Sequence, residues 1–389
     1  MRILLLDQFS DPGGAQHCLG DLFSEVEKRG WDAELLAPGD GFLHHRAREC
    51  GIKTHTLPLR EYENGCKSAA DVCKFVVDVA RGRQQVKRLA TQQPTDVLYV
   101  NGPRVLPMVT RLGIPILFHS HSVLDKVYSR WIARLCLDSK ETLVVAGSEF
   151  LALQLRRLLG GGCVQVIYNG VEDLGFAPGR GRASGLRIGI VGRIAPEKGQ
   201  LEFLQAAQLL SLQGELQFVV VGSGLISAPG YEHSVQEMGR CLGVEFRGWV
   251  GDPAEIYRDL DILVVPSAPH DANPRVIMEA MSAGVCVIAF PSGGIPELIQ
   301  NGRDGLIVER TPDVLANGIL LLAENGRLRE QFQRNGRITF ESRFTLQRFR
   351  LEVCSAIEAL VRSCARDTNE YSFWRTKAVS ARDGSPSRR

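Results

Sequence analysis

The chain has 389 residues, of which 44% are hydrophobic and 23% are charged, and its formal net charge is +2. This length predicts two domains, and this composition excludes a chain that is disordered throughout. Forty glycines without a three-residue period exclude a helical bundle and collagen, and the near-zero charge argues against a nucleic-acid binder that neutralises phosphates.

The first apolar run ends at Asp7, which is too early for a secretory signal, so we interpret it as a buried strand. The sequence contains no run of about 18 apolar residues and predicts no transmembrane helix. Its ten cysteines form neither a CxxC pair nor a zinc spacing. Free thiols in a reducing cytoplasm explain this pattern, so we expect a cytoplasmic protein without a metal or other cofactor.

Short apolar runs recur along the chain and predict strands that are covered on both faces. Stretches with helical spacing separate them, so the pattern predicts an α/β fold built from right-handed βαβ units and parallel sheets. The predicted strands are Ile3–Leu6, Val97–Val100, Ile116–Phe118, Leu143–Val145, Ile188–Val191, Phe218–Val221, Ile262–Val265 and Val285–Phe290.

A glycine-rich stretch without periodicity interrupts this alternation and predicts a linker between two domains that face each other across a cleft. The predicted organisation is an N-terminal domain at 1–172, a linker at 173–185, a C-terminal domain at 186–343, a helix at 344–365 that crosses back to the N-terminal domain, and a disordered tail at 366–389.

In the first half, Gly13 and Gly14 follow the first strand. They indicate either a simple turn or a loop whose backbone approaches a ligand closely. His119 and His121 follow the strand Ile116–Phe118, where a side chain reaches the cleft, and we interpret His119 as structural.

A basic stretch precedes these histidines, with Asp78 as the opposing charge inside it. A solvated helix face is one interpretation, and attraction to an anionic membrane surface is the other. The stretch comprises Lys74, Arg81, Arg83, Lys87 and Arg88.

In the second half, Gly192 ends a strand, and Arg193 and Lys198 follow it. Two cations at the carboxyl end of a parallel strand suit a diphosphate, although solvated surface charges are the alternative. The turn at Gly222 lacks the third glycine of a dinucleotide fingerprint and the chain has no P-loop, which argues against NAD enzymes and P-loop NTPases.

The segment from Asp271 to Glu279 places a carboxylate in a loop and a second one inside the following helix, for which Pro274 is predicted as the first residue. Free N–H groups at the start of that helix suit a phosphate, and the helical carboxylate suits ribose hydroxyls. Gly293 and Gly294 then form another turn at the same end of the predicted sheet.

These motifs resemble the retaining glycosyltransferases of the GT-B fold, family four, also called glycosyl transferases group 1. The resemblance rests on Gly192-Arg193, Lys198-Gly199, the acidic pair eight residues apart, Glu279-Ala-Met…Gly284, Gly293-Gly294-Ile-Pro-Glu297 and Asn301–Val308. It implies a GT-B architecture with two Rossmann-like parallel-sheet domains, the N-terminal one binding the acceptor and the C-terminal one binding a nucleotide-sugar.

The resemblance also implies roles for individual residues. His121, Asp271, Arg193 and Lys198 are the expected catalytic set. The expected donor-binding residues are Gly13, Gly14, Gly192, Arg193, Lys198, Asp271, Pro274, Arg275, Val276 and Glu279, and the expected cleft lining is Ser148, Asn169, Gly222, Gly293 and Gly294. The chain departs from the family in having Asp271 where a glutamate is usual, and Asn273 where an aromatic residue or glycine is common.

The predicted activity is a metal-independent hexosyl transfer, with retention, from a nucleoside-diphosphate sugar to an acceptor hydroxyl in polysaccharide or glycolipid biosynthesis. The expected partners are this donor and a saccharide or lipid-linked acceptor, with no nucleic acid and with weak peripheral contact at the inner membrane face. A nucleotide-sugar epimerase on the same fold and a non-catalytic nucleotide-sugar-binding subunit are the alternatives.

Overall fold

The computed structural model describes residues 1–60, 68–137, 141–160, 163–177, 185–212, 216–224 and 229–380, with side chains described as far as residue 365. The predicted linker is therefore described only at 173–177 and 185, and residues 381–389 of the predicted tail lie outside the described residues. The nine described cysteines are free thiols, and the tenth, Cys66, lies outside this part of the chain.

The first half of the chain forms one parallel sheet with helices on both of its faces. Its strands are β1 (Arg2–Asp7), β2 (Asp32–Ala37), β3 (Lys53–Thr56), β4 (Val97–Asn101), β5 (Ile116–Ser120), β6 (Thr142–Ala146) and β7 (Val164–Val166). Its helices are α1 (Gly14–Lys28), α2 (Phe42–Glu49), α3 (Ala69–Gln92), α4 (Leu106–Val109), α5 (Val127–Leu137) and α6 (Glu149–Leu159).

The second half repeats this plan. Its strands are β8 (Leu186–Val191), β9 (Leu216–Val221), β10 (Glu245–Gly248), β11 (Ile262–Val265), β12 (Cys286–Ala289) and β13 (Leu306–Ile307). Its helices are α7 (Gln200–Leu209), α8 (Pro229–Cys241), α9 (Pro253–Arg258), α10 (Arg275–Ala283), α11 (Ile295–Leu298), α12 (Pro312–Glu324), α13 (Gly326–Arg343) and α14 (Leu346–Ser380).

The two sheets share one strand order. The first runs β3-β2-β1-β4-β5-β6-β7 and the second runs β10-β9-β8-β11-β12-β13, and these neighbouring strands of the described residues all pair in parallel. The order reverses between β1 and β4 and again between β8 and β11. Ligands of open parallel sheets bind outside the carboxyl ends of the strands at such a reversal, so both reversals are expected ligand positions.

The sheets are buried on both faces, as the unbroken apolar runs predict. Along β1, Ile3 and Leu5 belong to one core cluster, whereas Leu4 and Leu6 belong to the cluster on the opposite face, because successive side chains of a strand alternate. The predicted doubly covered α/β fold is therefore confirmed. The eight predicted strands all coincide with observed ones apart from their ends, and the strands without a predicted counterpart are β2, β3, β7, β10 and β13.

The last helix packs against the first domain rather than the second. Phe349, Val353 and Ile357 of α14 lie in the same buried cluster as Ile3 and Leu5. The helix continues to Ser380, so the structure places helix in residues 366–380, where the sequence suggested a disordered tail. The chain therefore passes from the first domain to the second and returns.

Because Phe349 is fully buried in the first core, truncating it should destabilise the whole protein. We expect Phe349→Ala to lower the free energy of unfolding by about 3–5 kcal/mol, measured by chemical denaturation. Leu351→Ala on the same helix is the matched control, because Leu351 is 43% exposed, and it should cost less than about 1 kcal/mol. Equal losses for the two variants would contradict the packing of α14 on the first domain.

Candidate functional site

The first domain contributes a glycine loop at the carboxyl end of β1. Gly13 is the residue before α1 and has extended backbone, and Gly14 begins the helix. No side chain caps this helix end, so its first N–H groups are open to a ligand. Gly13 and Gly14 therefore lie in the loop after β1. One of the two interpretations of the sequence was that the backbone of this loop approaches a ligand closely.

His121 lies next to this loop, just beyond β5. Its Nε2 is 2.7 Å from Asn101 Oδ1, and Asn101 is the last residue of β4. Burial and the nearby Arg275 lower the pKa of His121 to about 3, so the imidazole is neutral at physiological pH. His119 is fully buried and shares a hydrogen bond of 2.5 Å between its Nδ1 and Tyr99 Oη, which agrees with a structural role.

A buried carboxylate supports this edge of the first sheet. Asp7 accepts hydrogen bonds from the Phe9 N–H at 2.8 Å and from Gln16 Nε2 at 2.9 Å, and it also accepts one from Asn101 Nδ2. Burial raises the pKa of Asp7 to about 7, although these three donors act in the opposite direction. Asn101 and Gln16 are polar residues of the site that the sequence analysis did not single out.

The second domain contributes a cationic loop at the end of β8. Gly192 has φ of +142° and Gly222 has φ of +134°, and a Cβ on Gly222 would lie 1.9 Å from the Gly192 carbonyl oxygen. The two strand ends therefore meet through glycine backbone. This contact fixes the loop that carries Arg193 and Lys198.

Each of the two cations has a carboxylate partner. Lys198 Nζ lies 2.8 Å from Asp271 Oδ2, and both side chains are partly exposed. Arg193 Nη2 lies 2.8 Å from Glu197 Oε1 on an exposed surface, where such pairs exchange readily with other anions. The structure thus brings Lys198 and Asp271 into direct contact, while Arg193 contacts neither of them.

Glu279 lies inside α10 and has a partner of its own. Its Oε2 accepts a hydrogen bond of 2.8 Å from the Tyr257 hydroxyl, and burial raises its pKa. The helix begins at Arg275 and not at the predicted Pro274, which precedes it. Val276 packs against a buried apolar cluster of the second domain. Tyr257 is a further residue that the sequence analysis missed, because it comes from the separate helix α9.

Arg275 crosses to the first domain. Its Nη1 donates to Asp21 Oδ2 on α1 at 2.8 Å and to the Gly170 carbonyl oxygen at 3.1 Å, and its Nε lies 3.7 Å from Glu279 Oε1. The resemblance implied donor binding for Arg275. In the structure this guanidinium joins the two domains beside Glu279.

Further contacts between the domains surround the glycine turn at Gly293-Gly294. Gly293 has φ of +53°, and a Cβ on Gly294 would lie 2.0 Å from the Ala272 carbonyl oxygen and 2.8 Å from Ser148 Cβ. Asn169 Nδ2 donates to the Asn273 carbonyl oxygen at 3.2 Å. Ser148 and Asn169 therefore line the junction of the two domains, together with Gly294.

Glu297 adds a charged contact to this junction. Its carboxylate accepts from the N–H groups of Glu149 and Phe150 at 2.7 Å each, and from the Tyr168 hydroxyl at 2.9 Å. The first two donors are the free N–H groups that begin α6, so a carboxylate from the second domain caps a helix of the first. The sequence identified Glu297 only as part of the family motif.

No group of three or more His, Cys, Asp or Glu side chains in the described ranges is arranged to hold a metal ion. No described helix combines the length and the apolar character that a membrane span requires.

Comparisons with known proteins agree with this geometry. The family model described as "Glycosyl transferases group 1" matches residues 185–325, and "Glycosyltransferase Family 4" matches residues 12–173. The lipopolysaccharide 1,2-N-acetylglucosaminetransferase of Salmonella typhimurium is 29% identical over 43% of this chain and 49% of its own length. The D-inositol 3-phosphate glycosyltransferase of Streptomyces scabiei is 33% identical over 38% of this chain and 37% of its own. The matched region thus spans half or less of these relatives.

Solved structures resemble nearly the whole chain. The Anabaena protein Alr3699/HepE, solved in complex with UDP-glucose, has a TM-score of 0.77 and 24% identity, and the match covers 92% of this chain and 100% of that one. WaaG, described as a glycosyltransferase involved in lipopolysaccharide biosynthesis, has a TM-score of 0.70 and 16% identity over 92% and 99% of the two chains. Both likenesses show the GT-B fold.

If Arg275 holds the two domains together, removing its partner should loosen them. We expect Asp21→Ala to lower the free energy of unfolding by about 3 kcal/mol, because it removes the nearer of the two carboxylates beside a buried guanidinium. Small-angle X-ray scattering should show a larger radius of gyration. Glu25→Ala is the matched control, since Glu25 on the same helix pairs with Arg29 inside the first domain and its loss should leave the dimensions unchanged. Unchanged dimensions for both variants would contradict this role of Arg275.

Proposed function

We propose that this protein transfers a hexose from a nucleoside-diphosphate sugar to an acceptor hydroxyl with retention of configuration. Its two halves match the models described as "Glycosyltransferase Family 4" and "Glycosyl transferases group 1", which supports the proposal. The observation that carries this proposal is the contact of Lys198 with Asp271 beside the glycine turns at Gly199 and Gly293, where the carboxyl ends of β8, β11 and β12 meet. The first domain contributes the uncapped N-terminus of α1. A cation, a hydroxyl-binding carboxylate and free N–H groups suit a diphosphate that is joined to a sugar.

We assign the diphosphate to Arg193 and Lys198, and the ribose to Glu279. Asp271 repels phosphate but accepts hydrogen bonds from hydroxyls, so we assign it, with His121, to the transferred sugar. Lys198 then binds phosphate on one side and Asp271 on the other, which aligns the anomeric carbon with its leaving group. We also assign the backbone N–H groups that begin α1, in the first domain, to this donor.

The reaction breaks the bond between the anomeric carbon and the phosphate oxygen and forms one between that carbon and the acceptor oxygen. The acceptor proton passes to the departing phosphate oxygen on the same face, which accounts for retention without a covalent intermediate. Negative charge develops on the diphosphate, and Arg193, Lys198 and helix N–H groups stabilise it without a metal. The acceptor is a saccharide or a lipid-linked saccharide of polysaccharide or glycolipid assembly, held mainly by the first domain. The named relatives are transferases, which favours this activity over the epimerase and the non-catalytic subunit.

Donor binding and turnover test the assignment separately. A preferred sugar nucleotide, at a concentration well above its Kd, should stabilise the protein by about 2–4 kcal/mol in a thermal-shift screen of UDP-, GDP- and ADP-sugars. UDP-sugars are the first donors to test, because the Anabaena structure of the same fold contains UDP-glucose. Acceptor-dependent release of nucleoside diphosphate would show transfer. Interconversion without an acceptor would show an epimerase, and binding alone would show a binding subunit.

The cations are tested by truncation. Arg193→Ala and Lys198→Ala should each lower kcat about 100-fold while the fold stays intact, because each removes positive charge from the leaving group. Arg334→Ala is the matched control, since Arg334 is an exposed arginine on α13 whose side chain is 72% accessible. Near-normal turnover of Arg193→Ala would overturn the assignment.

We also propose peripheral contact with an anionic membrane, through the outer faces of α3 and α5. On α5, Val127, Tyr128, Trp131 and Leu135 are 49–73% exposed and lie on the side opposite the buried Ala133 and Leu137. Arg130 and Arg134 flank this apolar stripe. An apolar helix face with aromatic side chains and neighbouring arginines suits the interface of an anionic bilayer.

Helix α3 of the same domain also carries exposed apolar and basic side chains. Val72, Val76 and Val77 are 43–60% exposed on it, and of the predicted basic stretch Lys74, Arg81, Lys87 and Arg88 are exposed. Arg83 is different, because it donates to the Thr110 carbonyl oxygen and is half-buried. Asp78 is buried and paired with Arg60, so it does not oppose the exposed cations.

Vesicle binding tests this surface. We expect sedimentation with phosphatidylglycerol vesicles but not with phosphatidylcholine vesicles, and Trp131→Ser should weaken binding roughly tenfold, because it removes a large interfacial side chain. Trp249→Ser, on the second domain, removes a tryptophan of similar exposure (54% against 64%) and should bind as the unmodified protein does. Equal binding to both vesicle types would overturn the proposal, as would a Trp131→Ser variant that changes only self-association.

A further inference from the structure

The last residues of β1 and β4 form a polar pair at the reversal of strand order in the first sheet. Asp7 and Asn101 are register partners, and both side chains are buried. Neither residue reaches the exposed face of the site. Their hydrogen bonds nevertheless continue to His121, which is partly exposed.

The Asn101 side-chain amide has one possible orientation in this environment. Its Nδ2 faces both the Asp7 carboxylate and the Ala15 carbonyl oxygen, the latter at 3.1 Å. A backbone carbonyl only accepts hydrogen bonds, so the amide nitrogen must point towards it. This conclusion holds whether or not Asp7 carries a proton.

The orientation of Asn101 determines where the proton of His121 lies. Asn101 Oδ1 is 2.7 Å from His121 Nε2, and an amide oxygen accepts but does not donate. Nε2 must therefore carry the hydrogen. Because His121 is neutral at physiological pH, its Nδ1 has no hydrogen and presents a lone pair. None of the residues described in the structure hydrogen-bonds to that atom.

Neighbouring groups hold the ring itself in place. The His119 ring lies 4.1 Å from the His121 ring, and the His119 ring is in turn 6.2 Å from Phe349 of α14. At the other end, the backbone N–H of Phe9 and the amide of Gln16 hold Asp7. The chain of contacts from Asp7 to His121 therefore rests on backbone and on the packed last helix.

We propose that Asp7 and Asn101 are positioning residues that hold His121 in the Nε2–H tautomer, so that its Nδ1 accepts a hydrogen bond from a hydroxyl of the transferred sugar. This rests on the proposed function, which assigns His121 to that sugar. It adds a requirement on the donor, because an imidazole that only accepts needs a hydroxyl at the contacted carbon. If hydrogen or fluorine replaces the hydroxyl at that carbon of the sugar, Nδ1 has no hydrogen-bond partner, and the sugar nucleotide should be a poorer substrate.

Nitrogen NMR of protein with labelled histidine tests the tautomer directly. Among the eight histidines, the signals that disappear in His121→Gln identify this ring. We expect a protonated Nε2 and an unprotonated Nδ1 at pH 7. In Asn101→Leu, which removes both arms of the amide, the two tautomers should become mixed.

Tyr99→Phe is the matched control. Tyr99 is a buried residue on the same strand whose hydroxyl bonds to His119 and not to His121. It should leave the His121 tautomer unchanged. Asn101→Ser, which is too short to reach His121, replaces Asn101→Leu if the leucine variant does not fold.

Kinetics then test whether Asn101 acts through His121. Asn101→Leu should lower kcat about tenfold, the value of one hydrogen bond in the transition state, with a smaller change in donor KM. In a His121→Gln background the same substitution should have less than about a twofold further effect, since the residue it positions is absent. If Asn101 had only a structural role, the loss of kcat caused by Asn101→Leu would instead multiply with the loss caused by His121→Gln.

The outcomes separate this inference from the proposed function. If Asn101→Leu mixes the two tautomers of His121, and if its loss of kcat does not multiply with the loss caused by His121→Gln, the inference and the proposed function are both supported. If the unmodified protein shows no acceptor-dependent transfer but has the expected tautomer, the proposed function fails and the assignment of the proton stands. An Nδ1–H tautomer in the unmodified protein overturns the inference, as do multiplying losses of kcat.

Discussion

The arrangement of the two domains depends on one buried cation. Arg275 begins α10 in the second domain, and its guanidinium ends against Asp21 of α1 and the Gly170 carbonyl oxygen of the first. A guanidinium removed from water needs charged or polar partners on every side. Because those partners come from both domains, the domains satisfy this charge only in one relative position.

That position determines the geometry of the candidate site. Arg275 also lies 3.7 Å from Glu279 and lowers the pKa of His121, so the residue that joins the domains contributes to the electrostatics of both halves. Glu297 acts in a similar way at the other side of the junction, where it caps α6. The return of α14 to the first core adds a third link. Domain opening, if it accompanies the reaction, must break some of these contacts.

The sequence predicted much of the fold because a doubly covered parallel sheet requires apolar residues on both faces of each strand. Runs such as Ile262–Val265 are therefore unmistakable. The missed strands lie at sheet edges or mix polar residues with apolar ones. β3, with the sequence Lys-Thr-His-Thr, has only partly buried or exposed side chains, and its role as a strand comes from pairing with β2.

For the site, the predictable part was the set of residues in loops after strands. Glycines and charged residues at these points have a direct chemical meaning, so Lys198, Asp271 and His121 could be chosen from the sequence. Asn101 ends an apolar run in the same way, which was the signal that could have identified it. Tyr257 and Asp21 gave no comparable signal, because they meet their partners from separate helices.

The sequence by itself determined the two parallel-sheet domains and which loops carry chemistry, since burial and backbone freedom leave local patterns. Only the tertiary structure decided which charges meet. It paired Lys198 with Asp271 across 73 positions and Arg275 with Asp21 across 254, and it set the proton of His121 through an amide on another strand. The physical reason is that a hydrogen bond requires a distance of about 3 Å, and for residues far apart along the chain the local sequence pattern does not determine that distance.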